Sequence, residues 1–337
     1  MKILVTGGTG YIGSHTIVEL INNGYEVVAV DNFSNSKPIV LDRLKKITGK
    51  EIDFYELDVC DKDKLRRVFE KEKIEGVIHF AGYKAVGESV AKPLMYYRNN
   101  LDSTITLLEV MAEYGVKKLV FSSSATVYGD PEELPIKESA RLKTTNPYGT
   151  TKLYIEGILK DVYNADKEMG IAILRYFNPV GAHESGLLGE DPNGIPNNLM
   201  PYIVKVANKE LPHLNIFGND YDTKDGTGVR DYIHVQDLAI GHISALDYLM
   251  KHTGIDYYNL GTGMGYSVME IVKAFEEENK VDIPIEITKR RDGDIAACYA
   301  DTSHAKEKLN WVAKKGIKEM VKSSYEYAIK NGDGNDE

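Results

Sequence analysis

Residues 2–13, KILVTGGTGYIG, decide the fold, because a short apolar run leads directly into a glycine-rich turn and the start of a helix. The run Lys2 to Thr6 predicts a buried strand, and Ile12 to Asn23, closed by Gly24, predicts the helix. Glycine permits the tight turn, and its missing side chain lets backbone N–H groups and the helix N-terminus approach a pyrophosphate. The stretch predicts a nucleotide-binding strand–turn–helix unit, although a purely structural turn would also tolerate these glycines.

The same alternation of short apolar runs and helix-length segments continues as far as Tyr176. Buried strands are predicted at Lys2 to Thr6, Glu26 to Val30, Asp53 to Leu57, Gly76 to Phe80, Lys118 to Ser122 and Ile171 to Tyr176. A helix is predicted, for example, over Thr104 to Tyr114, where Gly115 ends it. This alternation is typical of a parallel sheet with helical crossovers, so we expect an α/β fold with a Rossmann-like doubly wound sheet.

The composition of the chain changes after Asn178. His183 to Pro201 and Asn219 to Gly228 are rich in residues typical of loops, so we expect them to build a site. Amphipathic helices return at Val235 to Met250 and at Ser267 to Glu278, the second with a capping box of Ser267 and Glu270. The 337 residues therefore predict a nucleotide-binding domain at 1–177 with a returning segment at about 233–260, a smaller mixed α/β substrate-binding lobe at 178–232 and 261–330, and a frayed tail at 331–337.

Composition and charge exclude several classes of protein. A hydrophobic fraction of 42% with 27% charged residues is typical of a globular chain. A formal net charge of −10 without a basic run argues against a nucleic-acid partner, and no apolar run is long enough to predict a membrane span. Cys60 and Cys298 cannot form a disulfide framework, and no signal-peptide pattern is seen, so we expect a cytoplasmic protein. His183 is followed by Glu184, but neither HExxH nor CxxC occurs, and no metal site is predicted.

An acidic residue at the end of the second predicted strand indicates which nucleotide binds. Asp31 follows Glu26 to Val30 directly. A carboxylate at this place accepts a hydrogen bond from a ribose 2′-OH and repels a 2′-phosphate, which favours NAD over NADP. A second glycine cluster, GTGMG at 261–265, has no following strand that ends in an acid, and we interpret it as a structural turn.

A tyrosine and a lysine one helical turn apart form the candidate catalytic pair. Tyr148 and Lys152 follow Asn146-Pro147, which predicts a helix start. A tyrosine that acts as a base near neutral pH needs its pKa lowered from about 10, and a nearby cation has this effect. Ser122-Ser123-Ser124 brings hydroxyl groups to the carboxyl end of a strand, where ligands of open α/β sheets bind. The pairs Tyr114/Lys118 and Tyr163/Lys167 have the same spacing without such a partner, and we interpret them as solvated helix pairs.

These residues together resemble a known family. The spacing of Gly7, Gly10 and Gly13, with Asp31, Ser124, Tyr148 and Lys152, resembles the extended short-chain dehydrogenase/reductase family. The chain is similar in particular to the nucleotide-sugar 4-epimerases of that family, through GGTGYIGSH from Gly7, FAGYKAVGES from Phe80, SSSATVYG from Ser122, NPYGTTK from Asn146, RYFNPVGAH from Arg175 and GTGVRDYIHV from Gly226. The likeness covers nearly the whole chain.

The resemblance implies two sets of binding residues. For NAD they are Gly7, Gly10, Tyr11, Ile12, Gly13, Asp31, Asn32, Asn35, Ser36, Asp58, Val59, Phe80, Ala81, Gly82, Lys84, Asn99, Ser124, Tyr148, Lys152 and Phe177. For a UDP-hexose they are Lys84, Ser124, Tyr148, Asn178, Asn198, Leu199, Asn215 to Phe217, Arg230, Arg291, Asp294 and Cys298. Arg230 and Arg291 suit a diphosphate because guanidinium groups bind phosphate oxygens in bidentate geometry, although a loop salt bridge to Asp231 or a neighbour would also explain Arg230.

The resemblance also implies an activity and an assembly. Tyr148 takes the proton of the sugar 4-OH, Ser124 shares a hydrogen bond with that oxygen, and hydride passes from C4 to NAD and back to the other face of a 4-keto sugar. UDP-glucose and UDP-galactose are thereby interconverted. A homodimer is implied through helices around Met95 to Tyr114 and Leu153 to Tyr163.

Three alternatives stay open at this point. A 4,6-dehydratase shares the fold and cofactor, but such enzymes resemble one another in an Asp-Glu pair where this chain has Ala125 and Thr126 after Ser124. A UDP-glucuronate decarboxylase would need a recess for a carboxylate. A catalytically silent NAD-sensing regulator could dispense with Tyr148 or Lys152, and the chain has both.

Cys298 bears on the range of substrates. It follows Arg291 by seven residues and resembles the family's gate beside the substituent at sugar C2. A small residue there is expected to admit N-acetyl sugars, so that UDP-GlcNAc and UDP-GalNAc would also be interconverted. Tyr299 is adjacent, and a shift of one residue in the comparison would reverse this expectation.

Overall fold

The computed structural model describes residues 1–191, 196, 198–291 and 293–331. Its helices are α1 (Tyr11–Asn22), α2 (Ile39–Thr48), α3 (Lys62–Lys71), α4 (Val86–Ala91), α5 (Pro93–Glu113), α6 (Pro147–Ala165), α7 (Leu199–Ala207), α8 (Val235–Leu249), α9 (Val268–Asn279), α10 (Ser303–Leu309) and α11 (Ile317–Asn331). Its strands are β1 (Lys2–Thr6), β2 (Glu26–Asp31), β3 (Asp53–Glu56), β4 (Gly76–His79), β5 (Lys118–Ser124), β6 (Gly170–Tyr176), β7 (Asn178–Val180), β8 (Leu214–Phe217), β9 (Val229–His234), β10 (Gly254–Leu260), β11 (Gly265–Ser267), β12 (Ile285–Thr288) and β13 (Ala297–Cys298).

A parallel sheet with helices on both faces forms the larger part of the molecule. Its strands within the described residues lie in the order β10-β6-β5-β4-β1-β2-β3. Alternate residues of β1 point to opposite faces, so Ile3 and Val5 pack in one core cluster with Ile17 of α1, while Leu4 packs in the other with Leu107 of α5. Apolar residues on both faces bury the sheet on both sides, as parallel sheets require. The predicted Rossmann-like doubly wound fold is confirmed.

The strand order creates a crevice at the carboxyl ends of β1 and β4. The chain runs outward from β1 to β2 and β3 on one side, and returns to β4, β5 and β6 on the other. Ligands of open α/β sheets bind at such a switch point, outside the carboxyl ends of the strands. The glycine turn after Thr6 and the residues after His79 therefore face each other across this crevice.

The later part of the chain adds two smaller sheets. Strands β11, β9 and β13 lie side by side, with β7 paired to β9, and β8 pairs with β12. Helices α7, α9 and α11 cover a separate apolar cluster that contains Met200, Phe275 and Met320. The segment that was expected to return does so as β10, which pairs with β6, and α8, which packs on α1. The division into domains stays a prediction.

Two differences from the predicted elements affect the site. Helix α5 begins at Pro93 instead of Thr104, because residues of low helix propensity are stabilised by burial, Asn100 among them. Strand β5 extends to Ser124, which carries all three serines into the sheet. The predicted tail falls on Asn331, which ends α11, and on 332–337, which lie outside the described residues. No helix in the described part of the chain is long and apolar enough to cross a membrane.

Candidate active site

The glycine turn between β1 and α1 is shaped by its backbone. Gly7 has a φ of +68°, and a Cβ there would lie 2.9 Å from the Ala81 nitrogen. A Cβ on Gly13 would lie 2.2 Å from the Gly7 oxygen, closer than real Cβ contacts come. Gly10 caps α1 without any side-chain hydrogen bond, and the first turn carries no acidic residue. The helix N-terminus is therefore open and positive, as an anionic pyrophosphate requires.

Asp31 at the end of β2 organises the edge of this turn. Its carboxylate accepts hydrogen bonds from the Thr9 backbone N–H at 3.1 Å, the Phe33 N–H at 2.9 Å and the Ser36 hydroxyl at 3.2 Å. Asn35 is exposed on the same loop. Of the predicted ribose-side residues, Ser36 is thus joined to the Asp31 carboxylate, while Asn35 lies on the same loop.

The adenine-side residues follow β3. The Asn32 amide donates to Asp58 at 3.2 Å, so the loops after β2 and β3 meet. Val59 beside Asp58 is buried, which provides an apolar contact. This arrangement suits a base that lies at the edge of the sheet.

The predicted residues after β4 line the other side of the crevice. The Ala81 N–H donates to the Thr6 hydroxyl at 3.2 Å, which joins the ends of β4 and β1. Gly82 has a φ of +156°, and a Cβ there would meet the Asn100 amide oxygen at 3.2 Å. The Asn99 amide donates to the same Asn100 oxygen at 3.0 Å. The ring of Phe80 lies 4.8 Å from that of His242 of α8.

Ser124, Tyr148 and Lys152 converge at the carboxyl end of β5. Asn146 caps α6 by accepting from the Gly149 N–H at 2.8 Å, with Pro147 at the first helical position, as the sequence predicts. The Tyr148 phenol hydrogen-bonds with the Ser124 hydroxyl. The Lys152 Nζ donates to the Ser122 carbonyl at 2.6 Å and lies 5.9 Å from the centre of the Tyr148 ring.

The two titratable members of this group are shifted by burial. Burial raises the pKa of Tyr148, and the hydrogen bond with Ser124 opposes the rise. Burial lowers the pKa of the Lys152 ammonium to about 8, and the negative charge of Glu156 opposes the fall. The lowering of the tyrosine pKa that the sequence analysis expects is therefore not present in the chain alone, because desolvation of the phenolate dominates.

Several residues that sequence reasoning missed hold this group in place. The Tyr148 N–H donates to the Ser89 hydroxyl at 3.1 Å, and the Thr126 hydroxyl donates to Ser124 at 3.0 Å. The Asn100 amide donates to the Thr151 hydroxyl at 3.0 Å, which ties α5 to α6 beside the tyrosine. Thr126 lies within the quoted string SSSATVYG, but no spacing rule relates Ser89 or Asn100 to Tyr148.

On the substrate side, strand pairing brings separate segments together. Cys298 of β13 lies opposite Arg230 of β9, and Asn178 of β7 lies opposite Tyr232. The Arg230 guanidinium donates to the backbone oxygens of Val229 and Ile295 at 2.8 and 3.0 Å. No salt bridge of Arg230 is found within the described residues, so the ion pair with Asp231 is not formed there.

Asp231 instead serves the second glycine cluster. Its carboxylate accepts from the backbone N–H groups of Thr262, Gly263 and Ala300 at 2.8 to 3.1 Å. A Cβ on Gly261 would lie 2.4 Å from an Asp231 oxygen. The geometry supports the interpretation of this cluster as a structural turn.

Arg291, Phe217 and Asp294 form a second group. The Arg291 guanidinium is paired with Asp294 in bidentate geometry at 2.8 and 3.2 Å and lies 4.6 Å from the centre of the Phe217 ring. Phe217 ends β8, in which Asn215 is partly buried, and the Arg291 side chain is 55% exposed. A guanidinium with this exposure can exchange its carboxylate partner for a phosphate.

A third group is centred on Glu190, which sequence reasoning missed. Its carboxylate accepts from the Asn198 amide at 2.8 Å and pairs with Lys84 at 3.4 Å. Asn198 precedes Leu199, the first residue of α7, and Lys84 lies 6.0 Å from the centre of the Tyr11 ring. Tyr11 donates to the Gly181 carbonyl at 2.6 Å, so the nucleotide turn and the loop after β7 are in direct contact.

His79 is a buried residue of the sheet core. His79 is buried between the Thr6 hydroxyl at 2.7 Å and the Thr104 hydroxyl at 3.1 Å. Burial, aided by the charge of Lys152, lowers its pKa to about 3, so it is neutral. No cluster of three metal-ligating side chains occurs in the part of the chain that the structure describes.

Comparisons with known proteins agree with this geometry. Residues 4–324 match the family model described as GDP-mannose 4,6 dehydratase. A UDP-glucose 4-epimerase of Bacillus subtilis is 60% identical over 334 residues, which cover 99% of this chain and 98% of the relative. The chain belongs to the UDP-glucose 4-epimerase family. Its membership confirms the resemblance to the extended short-chain dehydrogenases/reductases.

Solved structures of UDP-glucose 4-epimerases share the whole fold. The enzyme from Bifidobacterium longum, in complex with NAD+ and UDP, is 57% identical, with a TM-score of 0.95 over 98% of this chain and 99% of its own. The UDP-Glc/GlcNAc 4-epimerase from Campylobacter jejuni is 37% identical, with a TM-score of 0.86 over 98% of this chain and 99% of its own. The family model takes its description from a dehydratase, but Ser124 is followed here by Ala125 and Thr126, and Thr126 is engaged with Ser124 itself.

Proposed function

We propose that this chain interconverts UDP-glucose and UDP-galactose by NAD-dependent inversion at sugar C4, through a 4-keto intermediate. The observation that carries the proposal is the convergence of Ser124, Tyr148 and Lys152 beside the glycine turn, in a member of the UDP-glucose 4-epimerase family. A hydroxyl, a phenol and an ammonium in this arrangement can move a proton at a carbinol oxygen.

The residues at the crevice fit NAD. A Cβ at Gly7 or Gly13 would close the space in which the backbone approaches a pyrophosphate, and the N-terminus of α1 is free of acidic side chains. Asp31 ends β2, and a carboxylate at this position accepts from a ribose 2′-OH and repels a 2′-phosphate, which supports NAD. When bound, NAD supplies the acceptor for the hydride of sugar C4 and returns it to the opposite face.

Proton transfer is the task of the chain itself. The Tyr148 oxygen takes the proton of the sugar 4-OH and later returns it, while Ser124 hydrogen-bonds with the same sugar oxygen. Because burial raises the pKa of Tyr148 in the chain alone, the phenolate requires positive charge nearby. Lys152 provides that charge from the same face of α6. In this scheme Tyr148, Ser124 and Lys152 are the catalytic residues.

The substrate diphosphate binds Arg230 and Arg291, because a dianion in a chain of net charge −10 requires local cations. Asn178, Asn198, Leu199, Asn215 to Phe217 and Asp294 complete the nucleotide contacts. Since most of the affinity lies in the uridine diphosphate, the sugar ring can turn over and present its other face to the same hydride. Inversion at C4 follows from that rotation.

The alternatives gain no support from the site. A dehydratase needs an acid and a base after the catalytic hydroxyl, and Ala125 and Thr126 supply neither. A silent regulator would not require Tyr148 and Lys152 together at the end of β5. The decarboxylase has no observation of this structure in its favour.

Cys298 supports a broader substrate range. It packs in a cluster with Ala125, next to Ser124, and with Phe177, next to Asn178. The ring of Tyr299 packs instead toward Gly265, where a Cβ would come within 3.0 Å of it. This packing supports Cys298 over Tyr299 as the residue beside the sugar, where a small side chain would admit an acetamido group. We extend the proposal to UDP-GlcNAc and UDP-GalNAc.

The proposal includes a homodimer and a cytoplasmic location. Leu94 is 81% exposed and Tyr154 53% exposed on α5 and α6, the helices expected to pack against a second copy. Sedimentation analysis is expected to give twice the mass of the chain. Cys60 and Cys298 are both free thiols, which suits a reducing compartment.

The test of the activity is an absorbance spectrum of the purified protein before and after UDP-galactose is added. We expect retained NAD to be partly reduced by the sugar, and UDP-glucose to accumulate in a coupled assay. Bound NAD that stays oxidised, with no UDP-glucose formed, would refute the proposed function and favour a regulator.

A further inference from the structure

A buried ion pair lies one helical turn beyond Lys152. Glu156 of α6 and Arg175 of β6 are each 3% exposed and form two contacts, Oε2 to Nη2 at 2.6 Å and Oε1 to Nε at 3.0 Å. The Ser123 hydroxyl donates to Oε1 at 2.5 Å. Arg175 also donates to the Tyr128 hydroxyl and to the Glu138 carbonyl, each at 3.0 Å. Both oxygens of the carboxylate are therefore engaged.

Stability alone is a weak explanation for this pair. Removing two charges from water costs several kcal/mol per ion, and apolar replacements of such pairs are often as stable or more stable. A nonpolar pair would also pack between α6 and β6, which both supply residues to the same apolar cluster. The buried position of the Glu156 carboxylate is thus better explained by its neighbour Lys152 than by a contribution to the stability of the fold.

The carboxylate acts on Lys152 in two ways. Through Ser123 it fixes the strand residue between Ser122, whose carbonyl accepts from Lys152, and Ser124, which hydrogen-bonds with Tyr148. Through its charge it opposes the effect of burial on the ammonium. Residues at i and i+4 lie on one face of a helix, so Glu156 is aligned with Lys152.

The other titratable groups around Lys152 do not supply negative charge. His79 of β4 is neutral at physiological pH, because burial and Lys152 lower its pKa to about 3. Tyr148 on the same helix is neutral until it acts as a base, because burial raises its pKa. Burial also raises the pKa of Tyr176 of β6, so its phenol is neutral at physiological pH. The phenol forms a hydrogen bond with the Ser122 hydroxyl. Among the described residues, Glu156 is the carboxylate that raises the pKa of Lys152.

We propose that Glu156, held by Arg175 and Ser123, is a positioning residue that keeps Lys152 protonated and aligned at the end of β5. The proposal rests on the proposed function for its catalytic consequence, since a charged Lys152 matters only if Tyr148 works as a phenolate. Its electrostatic part concerns the chain itself. As the pH rises, Lys152 of the active holoenzyme loses its proton and its positive charge. The fall of kcat at alkaline pH therefore follows the titration of Lys152.

The test compares Glu156→Gln with Glu156→Asp in the holoenzyme. Loss of the carboxylate removes attraction for the ammonium, so its pKa falls and the alkaline limb of kcat for UDP-galactose moves to lower pH by about one unit. Glu156→Asp keeps the charge, and its profile is expected to remain close to wild type. KM is expected to change little in either variant, because neither residue contacts the substrate.

A second readout does not depend on turnover. The Nζ of Lys152 is titrated by NMR in ¹⁵N-lysine-labelled protein, and its signal is assigned by its loss in Lys152→Arg. The titration is expected to fall by about one unit in Glu156→Gln. Lys118 at the other end of β5, whose pKa burial also lowers, is the matched control and should not shift.

The variant Glu156→Gln leaves Arg175 charged and unpaired, which can prevent folding. The double variant Glu156→Gln with Arg175→Gln buries no charge, and its Lys152 titration should fall in the same direction but by less, because the positive charge of Arg175 is lost as well. Lower thermal stability with an unchanged Lys152 titration and an unchanged profile would overturn the proposal and leave a purely structural pair. Absence of UDP-galactose turnover in the wild type would refute the proposed function instead, while the NMR titration would still decide the role of Glu156.

Discussion

The nucleotide end and the substrate end of the site are built differently. At the nucleotide end the proposed binding surface is backbone, and it is fixed by local contacts such as Gly10 N–H to the Gly7 carbonyl at 3.1 Å. At the substrate end the proposed binding groups are side chains on β8, β9, β13 and their loops. Strand pairing brings these together, as in the pairing of Cys298 with Arg230.

This difference determines which changes each end tolerates. Gly13 has no space for even a methyl group, since a Cβ would lie 2.2 Å from the Gly7 oxygen. Arg291 is half-exposed and pairs with Asp294, so its replacement leaves the backbone unaffected. The nucleotide end therefore tolerates few substitutions, whereas the specificity of the substrate end can change through single side-chain replacements.

Tyr148 lies where the two ends meet, and its replacement gives the largest expected effect. In Tyr148→Phe the proton acceptor is lost while the crevice for the dinucleotide is unchanged. We expect turnover to fall about a hundredfold or more, with NAD still bound. Tyr163→Phe is the matched control, because Tyr163 of α6 has the same spacing to Lys167, which lies beyond the end of the helix, and the Lys167 ammonium lies 4.2 Å from the centre of its ring. Near wild-type turnover of UDP-galactose in Tyr148→Phe would remove this residue from the mechanism.

The substrate end can be altered without touching the cofactor end by Cys298→Tyr. The larger ring occupies the space proposed for the acetamido group, and overpacking of about 1–3 kcal/mol corresponds to a loss of about five- to 150-fold. We expect that loss in UDP-GlcNAc turnover, with UDP-galactose turnover largely retained. Cys298→Ser, which keeps the size, should retain both activities. The idea fails if the wild type does not convert UDP-GlcNAc, or if Cys298→Tyr loses both activities equally.

The same contrast explains what could be predicted from sequence. The glycine turn, Asp31 and the cap of α6 each depend on residues that are close together in sequence, so rules for local sequence patterns locate them. Ser89 and Glu190 act through partners that are distant in sequence, Tyr148 and Lys84, and only the tertiary structure shows these contacts. Arg230 and Arg291 could be named only through the family resemblance, because no local rule relates two arginines on separate loops.

The diphosphate contacts should separate binding from chemistry. In Arg291→Met the substrate loses a charge-assisted hydrogen bond, and because the side chain is half-exposed we expect KM for UDP-galactose to rise about tenfold with kcat changed less. Arg290→Met is the matched control. Arg290 bears the same charge one residue earlier, but it pairs with Asp220 at 2.7 Å and stacks on Tyr221. Steady-state kinetics decide the matter, and equal effects of the two substitutions would argue against a specific diphosphate contact by Arg291.

The smallest expected effect tests whether a side chain at the nucleotide end selects NAD over NADP. Thr9 and Phe33 donate to different oxygens of Asp31, so Asp31→Asn keeps one of these acceptors and removes the charge that would face a 2′-phosphate. The lost hydrogen bond is expected to weaken the binding of both cofactors, so the measurement compares their ratio. A partly screened charge interaction of about 1 kcal/mol corresponds to about a fivefold fall in the preference for NAD over NADP. Protein stripped of nucleotide and equilibrated with an equimolar mixture of the two cofactors reports the ratio retained. Asp58→Asn removes a charge at the neighbouring loop without facing the ribose, and its ratio should match wild type. If wild type itself retains the two cofactors equally, Asp31 does not select between them, and the nucleotide end is a binding surface made by backbone alone.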